Sequence, residues 1–362
     1  MTRYLLAGGG TAGHVNPLLA VADRLREREP DSVVLVLGTA EGLESRLVPA
    51  RGYELLVVAR LPFPRRLGGT ALRFPGEFRQ IIARVRALIE QHQIDVVVGF
   101  GGYVSAPAYL AARAQKVPIV VHEANAKPGM ANRLGSLLTR HVGVAFAGTR
   151  LRGARLVGMP LRREIERLDR HARRRDAMTF LGLDPGRLTL LVTGGSQGAR
   201  RLNDTVYAAA ASILGTGWQI LHITGEKSDL PASELPGYHM LRYCDRMEFA
   251  LAAADLVVSR AGAATVSELT GLGIPAVYVP LAIGNGEQRR NAQSVVLAGG
   301  AHIVDNADFT PEWVSAQLVP LLQDRSVIAD MAARTSAMGT RDGADRTVDL
   351  IHDAVRSGRE RT

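Results

Sequence analysis

Gly8-x-Gly10-x-x-Gly13 follows the apolar run Tyr4–Ala7 and delivers His14 at its end. Glycines after a strand let backbone N–H groups approach a phosphate, and the helix N-terminus that follows stabilises negative charge. The spacing is also the dinucleotide fingerprint. A nicotinamide enzyme, however, needs an acid at the end of the next strand to hold the ribose. That strand ends Leu37-Gly38-Thr39, with Glu41 as the nearest acid, beyond the turn. What the loop offers instead is an imidazole. At the carboxyl end of a parallel strand, where ligands of open α/β sheets gather, it suits a general base or a substrate contact. The structural alternative is a histidine that caps backbone groups.

Two further turns have related chemistry. Thr193-Gly194-Gly195-Ser196-Gln197-Gly198-Ala199 exposes backbone and adds the Ser196 hydroxyl, a combination suited to a diphosphate or simply to a tight strand–helix turn. Ser259-Arg260-Ala261-Gly262-Ala263-Ala264-Thr265-Val266-Ser267-Glu268 frees amides for an anion at a helix start. Glu268, one turn in, can accept two hydrogen bonds from a ribose diol, or merely favour the helix dipole. Gly284 to Ala292 adds amides suited to sugar hydroxyls.

Along the chain, short β-branched runs alternate with Ala/Leu/Arg-rich segments: Val33–Leu37, Val96–Gly99, Ile119–Val121, Thr189–Thr193, Ile220–Ile223, Leu256–Val258 and Ala276–Val279. Such alternation predicts βαβ units, and continuous apolar runs predict parallel strands covered on both faces. A strand entering a glycine-rich turn opens each half. The spacing therefore predicts an α/β chain of two doubly wound domains, residues 1–162 and 163–340, joined near Pro160 to Arg175, followed by a C-terminal helix over 341–362 of unassigned packing.

A chain of 362 residues, 46% hydrophobic and 22% charged, excludes disorder and coiled coil and suits two domains. The single cysteine, Cys244, excludes an internal disulfide and fits a reducing compartment. No apolar run nears the roughly 20 residues of a spanning helix, and the N-terminal run is too short for a signal core. The charge is lopsided: residues 1–160 hold 21 Lys and Arg against 11 Asp and Glu, and the remainder 23 against 24. Arg60 to Glu90 concentrates Arg60, Arg65, Arg66, Arg73, Arg79, Arg84 and Arg86 among Leu61, Phe63, Leu67, Leu72, Phe74 and Phe78. Basic and apolar together point to an anionic membrane surface, or to a solvated helix face in an arginine-biased chain. No stacking platform, helix-turn-helix or zinc pattern supports nucleic acid.

In order along the chain stand Gly9-Gly10-Thr11-Ala12-Gly13-His14, His122-Glu123-Ala124-Asn125, Gly158-Met159-Pro160-Leu161-Arg162, Gly194-Gly195-Ser196-Gln197-Gly198-Ala199 and Arg260-Ala261-Gly262-Ala263-Ala264-Thr265-Val266-Ser267-Glu268. With these motifs the chain resembles the MurG family of GT-B glycosyltransferases over residues 9 to about 292. The resemblance implies two Rossmann-like domains facing a cleft. It implies inverting transfer of N-acetylglucosamine from UDP-N-acetylglucosamine to the C4 hydroxyl of undecaprenyl-diphosphate-muramoyl-pentapeptide, a step of peptidoglycan synthesis on the cytoplasmic side of the cell membrane. Carried over residue by residue, Ser196 and Arg162 lie near the diphosphate. Ala263, Ala264, Thr265, Val266, Ser267 and Glu268 surround phosphate and ribose, and Gln288 meets the sugar. Cys244 falls where uracil is read through backbone groups. Thr11, Ala12, Gly13 and Asn125 belong to the first domain's side, with His14 as the candidate base.

The resemblance implies a peripheral membrane protein without a cofactor, its partners being the two substrates and an anionic membrane surface, with wall and division proteins left open and no nucleic acid. No Asp-x-Asp stands near either loop, so helix amides and Arg162 are expected to replace a metal at the leaving diphosphate. Two departures from the family pattern stand out. Thr-Ala-Gly-His replaces the more familiar Thr-Gly-Gly-His, which would strain Ala12 if that position needed a positive φ. Glu287-Gln288 replaces a pair of amides, leaving Gln288 as the single assigned sugar contact. The rival readings are a UDP-N-acetylglucosamine 2-epimerase, a transferase acting on another lipid, a nicotinamide oxidoreductase and a non-catalytic membrane or nucleic-acid module.

Overall fold

The computed structural model describes residues 1–62, 69–195, 198–281 and 286–360, with residues 69–72 described by backbone alone. The chain divides into two compact units, residues 1–162 with 341–362, and residues 163–340.

The first unit is built on a seven-stranded sheet of β1 (Arg3–Gly8), β2 (Val33–Gly38), β3 (Glu54–Val57), β4 (Val96–Gly101), β5 (Ile119–Glu123), β6 (Val142–Val144) and β7 (Ala154–Leu156). The spatial order is β3-β2-β1-β4-β5-β6-β7, and every pair is parallel. Strand order reverses between β1 and β4, the switch point where open sheets collect ligands. The register of that pair slips between Ala7 and Gly8, so the glycine loop leaves the sheet through an irregularity. The helices are α1 (Ala12–Arg28), α2 (Glu44–Ala50), α3 (Gly69–Gln91), α4 (Ser105–Ala114) and α5 (Met130–Leu138).

Both faces of this sheet are buried. On one, Leu18, Val21 and Leu25 of α1 meet Leu6, Val96 and Val98; on the other, Val85 and Leu88 of α3 and Tyr109 of α4 meet Leu5, Leu37 and Val97. The C-terminal helix, Gly343–Arg359, completes the first face with Val348, Leu350, Ile351 and Ala354. Its polar flank reaches α1, where Arg28 pairs with Asp349 at 2.8 Å and Arg24 with Asp345. The last segment of the chain therefore belongs to the first unit.

The second unit repeats the plan. Strands β8 (Thr189–Thr193), β9 (Gln219–Ile223), β10 (Tyr238–Leu241), β11 (Leu256–Ser259), β12 (Ala276–Tyr278) and β13 (Ala301–Ile303) run in the order β10-β9-β8-β11-β12-β13, all parallel. The core joins Leu190, Val192, Val206, Ile220 and Val258 to Phe309 and Leu322, and the Trp218 indole N–H donates to the Leu322 carbonyl at 2.8 Å. All seven apolar runs read from the sequence are strands. The sequence did not mark β3, β6, β7, β10 and β13, which are edge strands or, for β6, the neighbour of one.

Candidate active-site residues in the two units

His14 sits in the first turn of α1, half buried, where β1 ends. Its Nδ1 is 3.1 Å from the Gly9 carbonyl oxygen and 3.3 Å from Thr11 Oγ1. A carbonyl only accepts, so Nδ1 carries the proton and Nε2 keeps its lone pair. The imidazole is thus bound on its backbone side and holds the tautomer a general base requires. Thr11 and Ala12 are exposed, and α1 begins at Ala12 with the Thr11 backbone extended. The positive φ of the loop falls on Gly10, at 86°, so alanine at position 12 carries no strain. Among the described residues the amides of Ala12 and Gly13 make no hydrogen bond and face outward from the helix start.

Behind the loop lies a carboxylate that the sequence reading missed. Glu44, fully buried, accepts from the Gly10 N–H at 2.8 Å, the Thr39 N–H at 3.0 Å and the Thr39 hydroxyl at 2.8 Å. Burial alone would raise its carboxyl, but these hydrogen bonds outweigh it and hold the group below the ordinary carboxylate range. Gly9 and Gly42 make room for it, since a Cβ at either would fall 2.3 or 2.0 Å from its oxygens. This placement corrects the phosphate reading of the first loop at Gly10, whose amide already holds an internal anion. It also leaves the nicotinamide reading with one backbone donor fewer at this loop. The signal available in sequence was an acid six residues after Gly38, with no mark of its burial.

On β5, His122 and Glu123 are buried, and Asn125 follows half exposed. Glu123 accepts from the Asn125 N–H and the Gly129 N–H, both at 2.9 Å, and from Asn132 Nδ2 at 3.0 Å, which fixes the loop carrying Asn125. His122 Nε2 donates to the Gly158 carbonyl at 3.1 Å, and burial pushes its pKa down to about 4. Arg162, half buried, closes the residues 1–162 segment.

In the second unit, Ser196 lies outside the described residues, but its flanks are defined. Gly195 has φ of 89° and its N–H donates to Thr193 Oγ1 at 3.3 Å. The Arg200–Ala208 helix starts after Ala199 with no side-chain cap, beside a cavity of about 500 Å³ lined by Gly198, Asn203 and Thr224. The Ala263–Gly271 helix likewise begins uncapped at Gly262. The amides of Ala263, Ala264 and Thr265 make no hydrogen bond among the described residues. Side chains here divide sharply. Ala264, Thr265 and Glu268 reach solvent on one face, whereas Ala263, Val266 and Ser267 are buried. Val266 is a core residue at 1% exposure, so within this turn it can offer a ligand its backbone and not its side chain.

Arg260, from the same motif, spends its guanidinium on the fold. It donates to the Val279 carbonyl at 2.9 Å and to Asn306 Oδ1 at 2.7 Å. Gln288 is half exposed; its Oε1 accepts the Leu281 N–H at 2.9 Å, which leaves the NH₂ to offer two donors. Cys244 follows β10, half buried, with its thiol raised by burial despite a hydrogen bond from the Arg246 backbone. A raised thiol is a poor nucleophile, consistent with a contact made through backbone.

Residues 4–144 match the glycosyltransferase family 28 N-terminal domain, and residues 189–347 match the glycosyltransferase family 28 C-terminal domain. The chain belongs to glycosyltransferase family 28. Within family 28, it is 62% identical over 355 residues to the UDP-N-acetylglucosamine–N-acetylmuramyl-(pentapeptide) pyrophosphoryl-undecaprenol N-acetylglucosamine transferase of Leifsonia xyli subsp. xyli, covering 98% of this chain and 99% of that one. A protein of the same name from Streptomyces avermitilis is 50% identical, covering 98% of each. Among solved structures, Acinetobacter baumannii MurG aligns with a TM-score of 0.79 at 28% identity, covering 98% of this chain and all of that one. UDP-GlcNAc 2-epimerase from Neisseria meningitidis aligns at 0.66 and 16% identity over 98% of this chain and all of that one, a likeness of fold alone.

Proposed function

We infer that this family 28 protein transfers N-acetylglucosamine from UDP-N-acetylglucosamine to the C4 hydroxyl of the muramoyl sugar in undecaprenyl-diphosphate-muramoyl-pentapeptide, with inversion, forming lipid II from lipid I in peptidoglycan synthesis. The observation that carries this reading is the 62% identity, along essentially the full length of both chains, to a transferase whose name states donor, sugar and acceptor.

The residues supply what the displacement needs. His14 Nε2 takes the proton of the acceptor hydroxyl as that oxygen bonds to the anomeric carbon, and UDP leaves with the electrons of the broken bond. The negative charge appearing on the diphosphate meets the Ala263, Ala264 and Thr265 amides, with Arg162 and the Ser196 hydroxyl as further donors. Glu268 takes the ribose diol, Gln288 offers its NH₂ to the sugar, and the Cys244 backbone reads uracil. Thr11, Ala12, Gly13 and Asn125 serve the acceptor.

A lipid-linked acceptor keeps its tail in a bilayer, so the protein docks there peripherally. No helix among the described residues is long and apolar enough to cross a membrane. On α3, Arg73, Arg79, Arg84 and Arg86 are exposed around the stacked rings of Phe74 and Phe78, 5.5 Å apart, and suit an anionic surface. Phe63, Arg65, Arg66 and Leu67 of the same basic stretch lie outside the described residues, and the side chain of Leu72 likewise.

Calorimetry with UDP-N-acetylglucosamine, run beside a transfer assay, tests the division of labour. His14→Ala is expected to bind donor as the wild type does and to lose turnover by about 100-fold or more. Turnover within a few-fold of wild type would remove His14 from the chemistry.

A further inference from the structure

The peptide group between Gly9 and Gly10 is hydrogen-bonded at both ends. Its N–H donates to the Glu44 carboxylate at 2.8 Å, and its carbonyl accepts the His14 Nδ1–H at 3.1 Å. Amide N–H and C=O are conjugated, and hydrogen bonds in series polarise one another. An anion on the N–H therefore makes the carbonyl a stronger acceptor. We propose that Glu44 is a positioning residue for His14: a carboxylate and an imidazole coupled through one peptide group, which holds the Nδ1–H tautomer, keeps Nε2 available, and favours the imidazolium formed when Nε2 takes the acceptor proton.

The surroundings of Glu44 argue that its charge matters as well as its shape. Burying an ionised carboxylate is expensive unless it is fully hydrogen-bonded, and an apolar or amide side chain could fill the same space more cheaply. Here three donors are assembled on it, and Gly9, Gly38 and Gly42 all lack the Cβ that would strike it, at 2.3, 2.5 and 2.0 Å from the nearest atom. The hydrogen bonds keep the group ionised at neutral pH. On the other side of the ring, a Cβ at Gly101 would fall 2.9 Å from His14 Nε2, so the imidazole is packed between two glycine backbones and cannot swing without losing Gly9.

Among the described residues, most other ionisable groups on the elements around α1 are paired elsewhere or exposed. On the C-terminal helix, Asp345 and Asp349 pair with Arg24 and Arg28, His352 with Glu29, Arg346 with Asp342, and Asp353 with Arg155 and Arg356. On β1, Arg3 donates to the His92 carbonyl and Tyr4 to Glu29. On α2, Arg46 is exposed. Toward β5, Asn132 stands between Gly101 and Glu123, whose carboxylate holds the Asn125 loop, and His122 is bonded to Gly158. Among the described residues, Glu44 is thus the carboxylate with a hydrogen-bonded path to the ring.

The inference rests on His14 being the base, and the experiment separates the two ideas. Full-length protein with isotope-labelled histidine is titrated by NMR while the pH dependence of transfer is measured, for the wild type and Glu44→Gln. In the wild type, neutral His14 is expected as the Nδ1–H tautomer; the Nε2–H tautomer overturns the proposal without need of any variant. Glu44→Gln should move the His14 titration midpoint to lower pH by about half a unit to one unit. The acid limb of kcat should move with it, kcat should fall about tenfold, and donor KM should stay unchanged. An unmoved midpoint in a folded Glu44→Gln, with kcat lowered evenly at all pH, would make Glu44 merely structural and overturn the coupling. A midpoint that moves while the acid limb stays would show that another group is the base and overturn the catalytic role of both residues.

Discussion

Glu268 lies four residues after Ala264 and three after Thr265, so its carboxylate and the first-turn side chains share one face of their helix. A ribose diol bound there exchanges water for two charge-assisted hydrogen bonds. Glu268→Ala is expected to weaken donor binding by about 10- to 100-fold, the equivalent of about 1.5–3 kcal/mol for hydrogen bonds to a charged group, with a smaller change in kcat. Titration calorimetry with UDP-N-acetylglucosamine checks it, and unchanged affinity would place the ribose elsewhere. At this scale the sequence was uneven. His14 and Glu268 could be singled out as candidates because their chemistry follows from type and from position after a strand. Glu44 could not, because its importance comes from its burial, with the distant Gly9 and the nearby Gly38 and Gly42 closing around it. The burial of Val266 could not be read either: a motif shows which residues travel together and not which of them point inward.

Between single residues and the whole chain, two features of the elements have measurable consequences. His222 on β9 accepts the Tyr238 hydroxyl at 2.7 Å and donates to Asn203 Oδ1 at 3.1 Å, tying β10 and the Arg200–Ala208 helix to the sheet. Burial pushes its pKa down to about 4, against 6.5 for the unfolded chain. Below pH 6.5 the unfolded state binds the extra proton, so stability present above that pH is lost as pH falls toward 4, by about 3 kcal/mol. Urea unfolding of His222→Gln should therefore show a shallower decline than wild type between those pH values; parallel declines would mean His222 titrates normally. The second feature is the C-terminal helix. Ile351, fully buried in the first unit's core, is expected to cost about 2–5 kcal/mol when cut to alanine. That loss should appear in the unfolding of the first unit, with donor binding retained. The central strands were legible because burial on both faces makes them uniformly apolar, whereas β7, buried nowhere along Ala154–Leu156, offers no such pattern. The amphipathic spacing of the last helix was visible, but nothing local in it names the surface it returns to.

For the whole molecule, the proposed docking at a lipid surface rests on the excess of basic residues in the first 160 positions. Binding to anionic vesicles should weaken as salt is raised, since exposed charges are screened over about 8 Å at physiological ionic strength. Salt-independent binding would take the exposed arginines of α3 out of the contact. Transfer is also expected to survive a chelator, with helix amides stabilising the leaving diphosphate; total loss in chelator restored by magnesium would overturn that. The doubled α/β plan was legible from two repeated strand-to-glycine-turn patterns. The most direct test of the account is to follow UDP release and labelled disaccharide-lipid together, with UDP-N-acetylglucosamine alone and then with a short-chain lipid-diphosphate-muramoyl-pentapeptide. UDP and disaccharide-lipid rising one for one, and only when the acceptor is present, is the predicted result. UDP released with free sugar, and no label on the lipid, would contradict it.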